Sequence, residues 1–177
     1  FVIADYLRFG RIAREVYMDD YRYQALRTLT RARFDVIQNL SREKQRFANY
    51  LFLKCSGIAQ DKDIQNTSAT TIALMERFET VDDLANADLE ELTAFIDEKG
   101  RNFADPAAKA NAIRSAARDS YRLPVTVNNS VNQAMAVSIA SMRALEKQVK
   151  VLDKAIEHQF EIIPNTLTSI PGIGKVY

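Results

Sequence analysis

Residues 131–163 read VNQAMAVSIASMRALEKQVKVLDKAIEHQFEII, and this stretch decides the fold. Met135, Met142, Val149, Ile156 and Ile163 recur every seven residues, and Val131, Ser138, Leu145, Leu152 and Gln159 form a second set between them. Alternating steps of three and four mark a helix with an apolar seam along one side. At 1.5 Å per residue such a helix spans ~50 Å. β-branched residues in one set and leucines in the other favour a two-stranded coiled coil. Met135, Met142, Leu145, Val149, Leu152 and Ile156 are therefore the expected oligomerisation residues. Ile139 and Phe160 widen the seam, and charge pairs beside it are few. The opposing strand is either another copy of the chain or the long helix at residues 20–56. The regularity of the seam favours another copy. Pro164 ends the helix.

Residues 20–56 predict the second long helix. At 100° per residue, Leu26, Leu29, Val36, Leu40, Phe47 and Leu51 fall on one stripe. Arg27, Arg31, Arg42 and Arg46 fall on the opposite side. Between Tyr21 and Lys54 there are eight basic residues against two acidic ones, Asp35 and Glu43. An apolar seam with arginines behind it suits a helix that packs on protein and faces a phosphate backbone. Ordinary solvated arginines would give the same pattern, and the scarcity of carboxylates favours binding.

The charge of the whole chain points the same way. The net charge is only +1, but residues 1–60 carry eleven Lys and Arg against six Asp and Glu, so the remainder is net acidic. A basic first third suits a polyanionic partner. Five Gly and four Pro in 177 residues, with abundant Ala, Leu, Arg, Glu and Gln, favour helix nearly throughout. No stretch shows the alternation of a strand. The expected class is all-α.

Between the long helices the sequence punctuates a small helical subdomain at residues 68–122. Ser68 opens a helix that runs through Phe78. Thr80-Val81-Asp82-Asp83 opens a short turn, and Asp88 with Glu91 resembles a capping box. The next helix stops near Gly100. Asp105-Pro106 then starts another, with Asp as N-cap and Pro at the first helical position. Arg114, Arg118 and Arg122 share a face of that helix and either meet phosphates or are neutralised by Glu90, Glu91 and their neighbours. The second outcome is favoured. Residues 57–67 and 123–130 read as linkers, the first because its Asp, Gln and Asn offer little to bury. Residues 1–9 read as the tail of a helix capped by Gly10.

The chain closes on Leu167-Thr168-Ser169-Ile170-Pro171-Gly172-Ile173-Gly174-Lys175, the opening of a helix-hairpin-helix. Its glycines leave backbone N–H groups bare, and with Lys175 they can hold a phosphate without reading a base. Gly172, Gly174 and Lys175 therefore join the four arginines as candidate nucleic-acid contacts. The first residue is Phe1, and the hairpin stops short of its second helix, so the chain reads as a piece of a longer protein.

No complete active site is visible. Cys55 sits among Leu51, Phe52, Leu53 and Ile58 and reads as a buried small hydrophobe. One cysteine excludes an internal disulfide, and one histidine, His158, excludes a zinc site or a His-based triad. Asp82, Asp83, Asp88, Glu90, Glu91 and Asp97 are accounted for by caps and solvated faces rather than by a metal. No apolar run reaches the ~20 residues of a membrane span. A bacterial cytoplasmic location is the expectation.

Three segments taken together resemble a known family. Phe1-Val2-Ile3-Ala4-Asp5-Tyr6-Leu7-Arg8-Phe9-Gly10-Arg11 is similar to the segment that follows the last catalytic aspartates. Phe78-Glu79-Thr80-Val81-Asp82-Asp83-Leu84, with Glu90-Glu91-Leu92 and Ala107-Ala108-Lys109-Ala110, resembles a helical insert. Leu167 to Gly174 resembles the opening of a C-terminal domain. The family is insertion-sequence family one hundred and ten, the DEDD or Piv/MooV-like transposases. The resemblance implies a parent enzyme with an RuvC-like domain holding Mg2+ on four acidic ligands, and a catalytic serine beyond the segment matching Tyr177. It also implies DNA and a structured guide RNA as partners, and protomers joined by a coiled coil. Carried over residue by residue, it places neither the acidic quartet nor the serine here, so no catalytic residue and no cofactor belong to this segment. Asp5 falls after the acidic motif, and Ser169 belongs to the hairpin.

The resulting expectation divides the chain into four parts. Residues 1–56 end the RuvC-like domain and add the basic helix. The helical subdomain at 68–122, the coiled-coil helix at 131–163 and the start of the C-terminal domain at 164–177 follow. The expected role is linkage, oligomerisation and nucleic-acid binding within a transposase. A purely structural dimerising adaptor is the alternative, and a DNA-repair helix-hairpin-helix fragment would explain only the last ten residues.

Overall fold

The computed structural model describes residues 20–100 and 104–163, together with Arg8. Among them there are seven helices and no strand. These are α1 (Tyr21–Lys54), α2 (Ser56–Gln60), α3 (Ala69–Arg77), α4 (Val81–Ala85), α5 (Leu89–Lys99), α6 (Pro106–Arg118) and α7 (Val125–Glu161). The all-α class follows directly. The tail at residues 1–9 and the hairpin residues Gly172, Gly174 and Lys175 lie outside the described residues.

The described residues fall into two compact units, one comprising 20–33 and 151–163, the other 34–150. In the first, the start of α1 and the end of α7 are joined by an ion pair from Arg33 Nε to Asp153 Oδ1. Ile156 and Ile163 are buried there, and Leu26 and Leu29 are half-buried. Asp20 caps α1: its carboxylate accepts from the Arg22 backbone N–H at 2.9 Å and from the Arg22 guanidinium. Those side-chain bonds, ahead of the backbone bond, hold the Asp20 carboxyl below its ordinary value.

The second unit is built on one apolar core. Phe47, Leu51, Cys55 and Ile58 from the end of α1 and from α2 meet Leu74, Leu84, Leu92, Ile96 and Ile113 from the short helices. Met135, Ile139 and Met142 of α7 belong to the same core. Each such large apolar side chain contributes about 1.5–3 kcal/mol by leaving water. Where α7 carries Met135 and Met142, the seam is covered by its own chain, and Ser138 Oγ approaches the Glu43 carbonyl of α1 at 3.5 Å.

Local signals in the short helices hold. Ser68 Oγ accepts from Thr71 N at 3.1 Å, and Asp88 Oδ1 accepts from Glu90 N and Glu91 N at 2.9 and 3.0 Å. Asp105 caps α6, with Pro106 at its first position. Thr80 and Asp83 exchange bonds in a full capping box. Those bonds from Thr80, side chain first, keep the Asp83 carboxyl below its ordinary value.

Both expected linkers are wrong in part. Residues 56–60 form α2, and Ile58 and Ile64 are buried. Gly57 makes this possible: a Cβ there would lie 1.9 Å from the Ala116 carbonyl oxygen. α2 thus crosses α6 backbone on backbone, which only glycine permits. Ser120 Oγ completes the crossing by accepting from Gly57 N and donating to Ala116 O, both at 2.8 Å. The second linker is shorter than expected, because α7 begins at Val125. The Pro124 carbonyl accepts from Val127 N and Asn128 N. Asn128 is buried, and its Nδ2 donates to the Glu79 carbonyl at 3.1 Å.

Candidate nucleic-acid interface

α1 turns its arginines outward because its apolar residues are taken up by the core. Phe47, Leu51 and Lys54 are buried, and Leu40 and Tyr50 pack partly against the core. The residues opposite them must then face solvent. In the second unit these include Arg42 and Arg46; in the first they include Arg27 and Arg31. All four arginines singled out by spacing are exposed.

The environments differ along the helix. Arg46 Nη1 lies 2.9 Å from Glu43 Oε2, whose side chain is only 12% exposed while that of Arg46 is 66% exposed. The carboxylate steadies the guanidinium without covering it. Arg42 Nη1 reaches Asn39 Oδ1 at a long 3.5 Å, and Gln45 Nε2 reaches Asn49 Oδ1 at 3.4 Å. From residue 36 to residue 54 no carboxylate is exposed; Glu43 is half-buried. Exposed aromatic residues, which spacing did not bring out, lie on the same helix: Tyr21, Tyr23, Phe34 and Phe52.

Lys54, at the end of α1, works differently from the arginines. Its side chain is buried and its Nζ donates to the carbonyls of Met75 at 3.0 Å and Phe78 at 2.7 Å. These are carbonyls at the C-terminal end of α3, where a cation is favoured. Burial pushes the Lys54 amine down to about 8, with nearby Glu79 and Asp83 opposing the shift. A cleft of ≈ 420 Å³ opens beside it, lined by Glu76, Glu79, Asn132 and Gln133 among others. Asn132 Nδ2 donates to the Glu79 carbonyl, while its Oδ1 has no partner. With two carbonyls fixing its amine, Lys54 is a helix cap rather than a nucleophile.

Arg118 and Arg122 are taken up by the fold, whereas Arg114 Nη2 reaches Asn111 Oδ1 of its own helix at 3.3 Å. Arg118 Nε donates to the Ala85 carbonyl at 3.2 Å. Arg122 pairs with Asp82 at 2.7 Å and also bonds the Ala117 carbonyl. Neutralisation was expected from Glu90 and Glu91; it comes instead from Asp82 and from helix-end carbonyls. Glu91 pairs with Arg77, whose guanidinium lies 4.6 Å from the centroid of the Phe95 ring.

Among the described residues no three His, Cys, Asp or Glu side chains could hold a metal ion. Cys55 is buried with its Sγ 3.3 Å from Ser120 Oγ, and burial raises its thiol above the ordinary value. Among the described residues, no helix is long and apolar enough to cross a membrane.

Against this geometry the comparison with known families is decisive for the first third of the chain. Residues 1–54 match the model of the DEDD transposases of insertion-sequence family one hundred and ten, described as Transposase. Over these residues the chain is similar to a transposase. The transposase match ends at Lys54, the last residue of α1, so the outward arginines all lie within it. The helical subdomain and α7 lie beyond the matched residues. No curated protein and no solved structure gives a match.

Of the expected oligomerisation residues, Met135 and Met142 are buried in the second unit and Ile156 in the first. Leu145, Val149 and Leu152 are half-buried.

Proposed function

We propose that this chain is the nucleic-acid-holding and connecting part of an RNA-guided DEDD transposase, with α1 as its contact surface. The observation that carries the reading is the exposure of Arg27, Arg31, Arg42 and Arg46 within the transposase-matched segment. The transposase match supports DNA as the polyanion, and a structured guide RNA is the second partner in this reading. Contacts of this kind are made to phosphate, so they position the duplex and do not read it. Joining of protomers through α7 belongs to the same proposal and would draw on Leu145, Val149 and Leu152.

A structural dimerising adaptor is the second reading, favoured by one observation: Leu145, Val149 and Leu152 of α7 are left half-buried. The two readings separate in one experiment. Duplex DNA is titrated with the chain at several salt concentrations, alongside a variant with Arg27, Arg31, Arg42 and Arg46 all changed to Glu. The transposase reading predicts binding that falls steeply with salt and is lost in the variant, whose circular dichroism is unchanged. Binding equal in the two proteins removes α1 from the interface and leaves the adaptor.

A further inference from the structure

Residues 68–71, at the start of α3, carry three hydroxyl side chains, and the helix cap uses two of them. Ser68 Oγ accepts from Thr71 N at 3.1 Å and lies 2.9 Å from Thr71 Oγ1. Thr71 Oγ1 donates in turn to the Gln65 carbonyl at 2.9 Å. Thr70 is left out. It is only 5% exposed, and its hydroxyl has no hydrogen-bond partner among the described residues. Buried polar groups are nearly always satisfied, so this one calls for a partner from outside the chain.

The surroundings of Thr70 are rich in donors. Its side chain lines a cleft of ≈ 460 Å³, together with Ser68 and Ala69. The first N–H groups of a helix have no acceptor within it. At α3 the cap takes Thr71 N, and Ile72 N bonds the Ser68 carbonyl, which leaves the N–H groups of Ala69 and Thr70. Lys109 of α6 and Lys99, the last residue of α5, line the same cleft. Lys109 is half-buried, and its Nζ donates to the Asp63 carbonyl. That bond fixes the ammonium and leaves it two further donors. Lys99 is exposed and paired with Glu98 at 2.7 Å, so it adds charge rather than a fixed contact. Asp63 is the one carboxylate among the lining residues, and it is exposed. Ile64 and Ile113, both buried, supply an apolar wall. Beside such a wall charges interact more strongly than in open water.

Two adjacent backbone N–H groups at a helix N-terminus, with a hydroxyl and an ammonium beside them, form a donor set for phosphate. We propose that the cleft between the start of α3 and Lys109 binds a phosphate group. The N–H groups of Ala69 and Thr70, the Thr70 hydroxyl and the Lys109 ammonium hold it. No residue of α1 lines this cleft, so the site does not depend on the reading of that helix. The phosphate belongs to a free phosphate compound or to a nucleic-acid backbone.

The test is titration of the full chain with inorganic phosphate at constant ionic strength, followed by amide NMR. Saturable shifts of the Ala69 and Thr70 signals are expected. Thr70→Val loses them, yet its thermal midpoint without phosphate is no lower than that of the wild type, because no bond within the chain is lost. Lys109→Met weakens phosphate binding by about tenfold or more. Asp63→Asn removes the one lining carboxylate and strengthens it. The variant with Arg27, Arg31, Arg42 and Arg46 changed to Glu keeps the shifts. A short duplex that gives the same shifts, lost again in Thr70→Val, identifies a backbone phosphate as the ligand. A duplex without effect, where inorganic phosphate binds, identifies a free phosphate compound. Shifts that do not saturate, that survive both Thr70→Val and Lys109→Met, or that vanish with the four arginines of α1 overturn the site and leave the Thr70 hydroxyl to water.

Discussion

Two regions of the chain carry arginines four residues apart in sequence and use them in opposite ways. On α1, Arg42 and Arg46 stand on an exposed face whose contacts are with its own neighbours, Asn39 and Glu43. At the end of α6, Arg118 and Arg122 reach across to α4, bonding the Ala85 carbonyl and the Asp82 carboxylate. Sequence spacing is identical, but Arg122 lies beyond the end of α6 and so does not share a helix face with Arg118 as the spacing predicted. α6 ends beside the start and end of α4, where carbonyls and a capping-turn acid need cations. A stripe of arginines becomes a candidate interface only when the fold does not need it.

The comparison breaks first at the crossing that builds the compact region. Gly57→Ala places a methyl group against the Ala116 carbonyl at 1.9 Å, a contact that backbone must move to relieve. We expect a loss of about 3 kcal/mol or more in urea unfolding. An unchanged midpoint would show that α2 and α6 do not cross as described. A glycine-to-alanine change on an unconstrained helix would instead be stabilising.

Lys54 gives the next effect, and it has a sign. Its amine has a folded value of about 8 against an ordinary 10.5. Below the lower value both folded and unfolded chains are protonated, and the cost of burying the charge is fully present. Between the two values the unfolded chain holds more protons, so stability rises with pH. The rise amounts to up to about 3 kcal/mol. Thermal unfolding from pH 7.5 upward, compared between the wild type and Lys54→Met, checks it. A wild-type curve parallel to that of the variant contradicts the buried-amine account.

Caps supply a smaller effect. Asp88→Ala removes the acceptor for the Glu90 and Glu91 N–H groups at the start of α5. A loss of about 1 kcal/mol is expected in urea unfolding. No loss would mean that water replaces the cap at no cost.

How much of this was legible follows the range of the interactions. The helix over 20–56 is α1 within two residues at each end, because its apolar period is local. Ser68, Asp88 and Asp105-Pro106 act within one helical turn and were read in place. The 57–67 segment was misread as a linker because nothing local marks Ile58 and Ile64 as core. They are buried through Gly57 meeting Ala116, some sixty residues away. The start of α7 was missed for a similar reason. Asn128 looks like a turn residue until its amide finds the carbonyl of Glu79. The partner of Met135 and Met142 was invisible to a heptad count, which gives the seam but not the strand that fills it. The exposure of the four arginines of α1 was legible by spacing, because the apolar stripe fixes which side is buried.

The central claim is that α1 serves a partner while α6 serves the fold. It is tested by placing Arg42→Ala/Arg46→Ala beside Arg118→Ala/Arg122→Ala and measuring duplex DNA affinity across salt together with urea unfolding. The account predicts that the first pair weakens binding and reduces the salt slope by about 2, with stability within about 0.5 kcal/mol of wild type. The second pair loses stability and keeps the salt slope. Equal loss of binding in both pairs, or a stability loss in the first pair with binding intact, would contradict it.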